Sequence, residues 1–393
     1  MISRWLVFRL GLSQLVCWGI SYYLIGVFGP RIADDLGWSS TLTYAGFSGA
    51  LAVMGLVSGR VGHWIDRHGG RRVMSAGSLL LALGCATLAL SDGPLPYFAA
   101  WAILGVAMRM TLYEAAFASL ARIGGAAARR PIAQITLLGG LASSVFWPIG
   151  HALAGMLDWR GAVLAYAAFA LATLPLHWTI PDASFRDGGG NGPQAPPPRA
   201  ADGSAFRQAA ILYALVTTIV AFLNSANSAH MIGLMTGLGV GGGLAVSLST
   251  LRGIGQTGAR LCEVLFGARL DPLALGTLAA VLLPLCFLAG LASGISPLAA
   301  AAFALGYGVS NGLLTIVRGT QPLVLFDPAT YGALVGRLTA PAFFASALAP
   351  VSYAALIDVA GPGAALALSA ALGLVALAGS AALWFRFRAP RAG

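Results

Sequence analysis

The sequence predicts an all-α polytopic membrane protein of 12 transmembrane helices, built as two six-helix bundles with pseudo-two-fold symmetry. Three observations carry this expectation: composition, the run lengths of apolar residues, and an internal repeat. Of 393 residues, 58% are hydrophobic and 9% are charged. A soluble domain has roughly a quarter of its residues charged, so an ordinary cytosolic enzyme or secreted globule is excluded. Disorder is excluded as well, because it requires low hydrophobicity.

The apolar runs fall at 7–29, 42–61, 73–91, 96–121, 132–156, 161–180, 209–234, 243–266, 272–293, 297–317, 333–357 and 364–385. A bilayer-spanning helix needs about 20 apolar residues, so each run is one span. Helices are required because lipid offers no partner to a free backbone group. The first run follows Arg4 and Arg9 and is longer than a signal-peptide core, so it reads as a retained span. Residues 181–207 break the rhythm with Gly, Pro and charge, the composition of a flexible linker. The expected organisation is therefore an N-terminal bundle over 1–181, a linker over 182–207 and a C-terminal bundle over 208–393.

Charge orients the chain. The net charge is +10, and every basic residue is Arg. With both termini in the cytoplasm, the inner segments hold 15 Arg: positions 4, 9, 67, 71, 72, 122, 129, 130, 186, 199, 207, 269, 386, 388 and 391. The outer loops hold only Arg31 and Arg160. This asymmetry places both termini inside, in the inner (plasma) membrane of a cell. It also accounts for the basic charge without any nucleic-acid partner. Cys17, Cys85, Cys262 and Cys286 lie in or beside apolar stretches without metal-ligand spacing and read as packing residues.

The two halves repeat. Leu36-Gly37 returns as Leu238-Gly239, Leu104-Gly105 as Leu305-Gly306, Pro148 as Pro350, and Gly161-Ala162 as Gly363-Ala364, at offsets of 201 or 202. This is the parallel-repeat pattern of some transporters.

The loop after span two reads Gly62-His63-Trp64-Ile65-Asp66-Arg67-His68-Gly69-Gly70-Arg71-Arg72. It resembles the G-x-x-x-D-R-x-G-R-R signature of the major facilitator superfamily, at the place where that family carries it. The resemblance covers the whole chain and implies alternating access through a central cavity. It assigns Gly62, Asp66, Arg67, Gly69 and Arg71 to a gating motif, and Arg72 to anchoring the loop. In the family, the equivalent Asp contacts the start of span eleven in the outward-open state; here that start is near Gly332. The second-half copy, Gly258 to Arg269, lacks the Asp-Arg pair and has Glu263 instead. Residues 112–117, 144–148 and 311–320 resemble a bacterial permease group of unassigned substrate. Two departures weaken a drug-antiporter reading: Trp101 stands where many proton-driven exporters have Arg, and Trp147-Pro148 replaces their Gly-Pro.

Polar residues inside spans are costly and mark function by default. Span four carries Arg109 and Glu114, five residues apart, hence about 140° around a continuous helix. Tyr113 lies one turn from Arg109, on its face. Arg109 suits an anion. Glu114 suits either proton coupling or a structural partner on another helix. Span eight carries Arg252, Gln256 and Arg260 at steps of four, a stripe on one face. Arg252 is either part of an anion site or a salt-bridge partner of Glu114. Span one offers Gln14, Trp18 and Tyr22. Span seven offers Asn224, Asn227, Ser228 and His230, and span ten offers Asn311. The superfamily resemblance implies that spans one and seven line the cavity. His63, His68 and His151 carry no assigned role.

No nucleotide-binding loop or metal cluster stands out, so neither an enzyme nor a cofactor is expected. The expected function is secondary active transport of a small organic solute, an anionic one if the span arginines face the cavity, with proton coupling. The partners are that solute, the proton and the lipid bilayer, around a monomer. Two alternatives remain: a proton-antiport exporter of drugs or toxic molecules, and a non-transporting receptor. Two cavity Arg disfavour a cationic cargo, and only a few residues follow span twelve, where a receptor would suit a long tail.

Overall fold

The computed structural model describes residues 2–186, 197–201, 203–267 and 270–388. Linker residues 187–196 and 202, together with Arg269 and Arg391, lie outside them. The described residues form helices and turns, with no strand. The helices are α1 (Arg4–Cys17), α2 (Leu24–Leu36), α3 (Ser40–Ala89), α4 (Pro94–Thr111), α5 (Tyr113–Gly124) and α6 (Arg129–Gly139). They continue with α7 (Ala142–Trp178), α8 (Gly203–Gly237), α9 (Gly242–Phe266), α10 (Pro272–Leu291), α11 (Pro297–Leu325) and α12 (Tyr331–Phe387).

Helices and spans do not correspond one to one. Helix α3, at 50 residues, is about 75 Å long at 1.5 Å per residue, more than twice a bilayer core. It is two spans bent at Gly69 (φ 79°, ψ 159°). Likewise α7 bends at Asp158 (φ 60°, ψ −178°) and α12 at Gly361 (φ 83°, ψ 169°). Conversely, span one is α1 and α2 joined by a π-turn over Trp18–Tyr22, and span four is α4 followed by α5. Span five is α6 plus the first part of α7. With α8 to α11 as single spans, the total is twelve. Span eight, α9, is not among the helix stretches apolar enough to stand out as membrane-crossing. It carries Arg252, Arg260 and Glu263.

The chain clusters into two compact units: Met1–Pro196 with Pro328–Ala340, and Pro197–Asp327 with Pro341–Gly393. In unit one, α3 packs on α4 and α7, and α1 packs on α6 and α7. In unit two, α11 packs on α9 and α10. The repeat is visible in the backbone. Gly37 (φ 65°) ends span one, and Gly239 (φ 101°) follows span seven. Gly105 packs on the Ala50 carbonyl, and its packing counterpart is Gly308 on the Arg252 carbonyl, two residues past the Gly306 of the sequence register. Helix α8 begins at Gly203, inside the stretch read as linker.

Candidate functional site

In unit one, the bend at Gly69 brings Asp66 to the start of α12. Asp66 Oδ1 accepts the Gly332 N–H at 2.8 Å and Oδ2 accepts the Ala333 N–H at 2.7 Å. These are first-turn amides with no partner inside their own helix, and the helix dipole there favours an anion. Gly62 and Gly332 sit backbone to backbone: a Cβ on Gly62 would overlap the Gly332 carbonyl. Asp66 lies in the last helical turn before that bend, beyond the apolar run 42–61. Burial raises its carboxyl above the ordinary aspartate value of 3.8; the two amides, His63 and Arg122 act in the opposite direction. Arg122 donates to the Asp66 backbone carbonyl at 3.1 Å and pairs with Asp182 at 3.5 Å. Arg71 donates to the Ile180 carbonyl at 2.7 Å, while Arg67 is exposed.

Arg109 is 1% exposed. Its Nε donates to Ser58 Oγ at 2.8 Å and its Nη2 to the Ser58 carbonyl at 3.1 Å. Gly336 packs over that same carbonyl. Arg109 thus ties span four to span two beside the first turns of α12.

Span four is not one helix, which corrects the phase argument made from sequence. Leu112 is extended (φ −78°, ψ −170°). The Ala115 and Ala116 amides turn to the Leu112 carbonyl, leaving the Thr111 carbonyl without its i+4 donor. Gln14 Nε2 supplies one at 2.8 Å. The angle between Arg109 and Glu114, and the shared face of Arg109 and Tyr113, therefore do not hold. Glu114 instead occupies the buried first turn of α5, where peptide dipoles favour a carboxylate.

This break faces the π-turn of span one. Trp18 lies 5.0 Å from Tyr113 and 4.9 Å from Tyr22, ring to ring, and Tyr22 meets Phe47 at 5.0 Å. Tyr113 donates to the Thr136 carbonyl at 3.2 Å. Among the described residues, Gln14 Oε1 and Trp18 Nε1 are buried without a hydrogen bond. Single π-turns recur at functional sites.

In unit two, Arg252 Nη2 donates to Asn224 Oδ1 at 2.9 Å and to Ser228 Oγ at 2.7 Å. Its guanidinium lies 5.4 Å from the Tyr307 ring centre. Arg252 Nε is unpaired among the described residues. Further along the same face, Gln256 Oε1 is 3.5 Å from Asn311 Nδ2. Asn227 is buried and donates to the Leu223 carbonyl at 2.9 Å, and its Oδ1 is unpaired among the described residues. His230 Nε2 meets the Pro350 carbonyl at 2.8 Å, which fixes it as the donor and ties α8 to α12. Sequence reasoning missed Ser58 and Tyr307. The repeat offset could have found Tyr307, because it lies next to Gly308, the packing counterpart of Gly105.

Long apolar helices bent at loops, paired repeat units and intramembrane charges held by polar neighbours define a polytopic membrane transporter. The Major Facilitator Superfamily sequence model matches residues 10–317, and the chain belongs to that family. Its members are transporters, not enzymes. The fold resembles that of the human organic anion transporter MFSD10 (16% identity, TM-score 0.68), covering 96% of this chain and 99% of that one. It also resembles the proton:xylose symporter XylE (13%, TM-score 0.76; 97% and 95%). A third likeness is the E. coli fucose:proton symporter FucP (14%, TM-score 0.72; 97% and 98%). No curated protein matches the chain.

Proposed function

We propose that this protein moves a small organic anion across the membrane by alternating access, driven by protons. The observation that carries the cargo class is Arg252. Its Nη2 is held by Asn224 and Ser228, its face lies near Tyr307, and its Nε is left unpaired. A guanidinium fixed in this way presents a directional donor to a carboxylate. Gln14, Trp18, Tyr22, Tyr113, Gln256, Asn224, Asn227 and Asn311 supply further polar and aromatic contacts. Arg109 reaches anionic groups only when the clasp beside it opens, and His230 holds α8 against α12. Glu114 carries the proton. Asp66, with Gly62, Arg67, Gly69 and Arg71 around it, forms a gate that releases and recaptures the start of α12 in each cycle. The arginine asymmetry supports both termini being cytoplasmic; the protein acts in the plasma membrane as a monomer. The named cargoes of the similar structures, an organic anion and two sugars, belong to those proteins; at these identities they do not select among cargoes here.

The test is flux in proteoliposomes. Arg252→Gln should lower uptake of an organic anion at least tenfold, while the protein remains folded in detergent. Glu114→Gln should abolish gradient-driven accumulation and spare counterflow. Equal loss of both fluxes would remove Glu114 from proton coupling. A neutral or cationic cargo carried equally well by wild type and Arg252→Gln would overturn the anion reading.

A further inference from the structure

Beside the Asp66 clasp, unit one holds a cavity of about 310 Å³ lined by Gly59, Arg60, His63, Trp64, Ala333 and Arg337. No lining residue is acidic. Arg60 makes no hydrogen bond or ion pair to any described residue, and Arg337 donates only to the Ala333 carbonyl of its own helix, at 3.3 Å. Both guanidiniums are exposed. Trp64 is 44% exposed at the rim, where span two leaves the apolar layer, a depth at which indole is favoured. The nearest carboxylate on the motif, Asp66, is already engaged by two backbone amides, one of them from Ala333 in the cavity wall.

We propose that this cavity binds a phosphate group. Two guanidiniums without an ion pair and a histidine, brought to one cavity from spans two and eleven, suit the chemistry of a phosphate ester, which takes donors on several oxygens. Such a group comes from an anionic lipid headgroup or from a soluble phosphate. The site joins span two to Ala333 and Arg337 of α12, so its occupant adds to the hold that Asp66 has on the same helix. The inference does not depend on the cargo.

The experiment uses the full-length protein in nanodiscs of phosphatidylcholine, with and without phosphatidylglycerol, and in detergent with added inorganic phosphate. Thermal stability and lipid retained after detergent exchange, measured by mass spectrometry, are read for wild type and for the Arg60→Gln/Arg337→Gln double variant. An arginine near an anionic surface contributes roughly fivefold in affinity. The double variant should therefore hold phosphatidylglycerol about thirtyfold more weakly, with its stability in phosphatidylcholine unchanged. Stabilisation of wild type by inorganic phosphate, lost in the variant, supports the same site with a soluble occupant. Equal retention and equal stability of wild type and variant in every arm overturn the proposal. His63→Gln, which leaves both arginines in place, should give an intermediate loss; an effect as large as the double variant's, without loss in Arg60→Gln alone, would also overturn it.

Discussion

At the end of span four in unit one, the Arg122 carbonyl accepts the Phe185 amide; at the end of span ten in unit two, the Val324 carbonyl accepts the Arg199 amide. The two carbonyls are 202 residues apart, the offset of the internal repeat. The same comparison pairs Gly37 with Gly239 and, one residue out of that register, Asp158 with Gly361, each in a positive-φ conformation. Backbone turns have thus been kept in both units, while the side chains at matching positions have diverged. Ala50 stands where the repeat places Arg252, and Ser58 stands opposite Arg260. The arginine of unit one is sealed against Ser58, whereas the arginine of unit two is half-buried with an unpaired Nε. Folding explains the first and leaves chemistry as the use of the second.

The largest expected effect separates those two arginines. Removing Arg109 forfeits two hydrogen bonds from a buried charge, each worth about 1.5–3 kcal/mol, one of them to the side chain and one to the carbonyl of Ser58. Arg109→Gln should therefore destabilise the protein by roughly 3 kcal/mol. Arg252→Gln should cost about 1 kcal/mol or less, because its surroundings are partly open and solvent competes for its partners. Denaturant or thermal unfolding in a fixed detergent checks both. Equal losses would break the contrast.

The second effect concerns the outer bends. Asp158 and Gly361 share a backbone region that costs a non-glycine residue about 1–3 kcal/mol. Gly361→Ala should destabilise by that amount. Asp158 pays the same strain but offsets it: its Oδ1 accepts the Gly161 N–H at 2.8 Å, a capping bond worth about 0.5–2 kcal/mol. Asp158→Gly removes both, so its net change should lie within about 1 kcal/mol of zero. Unfolding midpoints of the two variants, side by side, test whether one backbone turn is held by two chemistries.

These pairs also show what the sequence made legible. The twelve spans, the repeat and the loop motif could be read because they rest on run length, offset and glycine placement. Some helix–helix contacts were half legible. Pro350 and Pro322 have no N–H, so they free the Ser346 and Arg318 carbonyls four residues earlier. Ser225 and Tyr213 of α8 fill those carbonyls at 2.7 Å each. The prolines were visible, but their partners were not. The break at Leu112 had no proline or glycine to announce it. It is recorded only in the tertiary bond from Gln14 to Thr111, so a continuous-helix phase placed Arg109, Tyr113 and Glu114 wrongly around span four. The polar cluster around Arg252 was visible as a stripe on span eight, while its contribution from Tyr307 of span ten required the fold.

The smallest effect is a slope rather than a step, and it lies in the clasp that unit one has. In unit two, the matching sequence lacks the Asp-Arg pair. Burial raises the folded-state pKa of Asp66 above 3.8, so the native state holds its proton more tightly than the unfolded chain does. The stability gained from that proton is fully present below the ordinary value and is lost as pH rises through the raised one. Wild type should therefore lose stability with increasing pH across that window and level off above it. Asp66→Asn cannot titrate, so this part of the slope should vanish, whatever constant offset the lost acceptor adds at every pH. Unfolding midpoints at closely spaced mildly acidic pH values measure the two slopes. Parallel slopes would mean that the carboxylate is stabilised by Gly332 and Ala333 as much as burial penalises it. The clasp would then be indifferent to mild acid, and Asp66 would act through geometry alone.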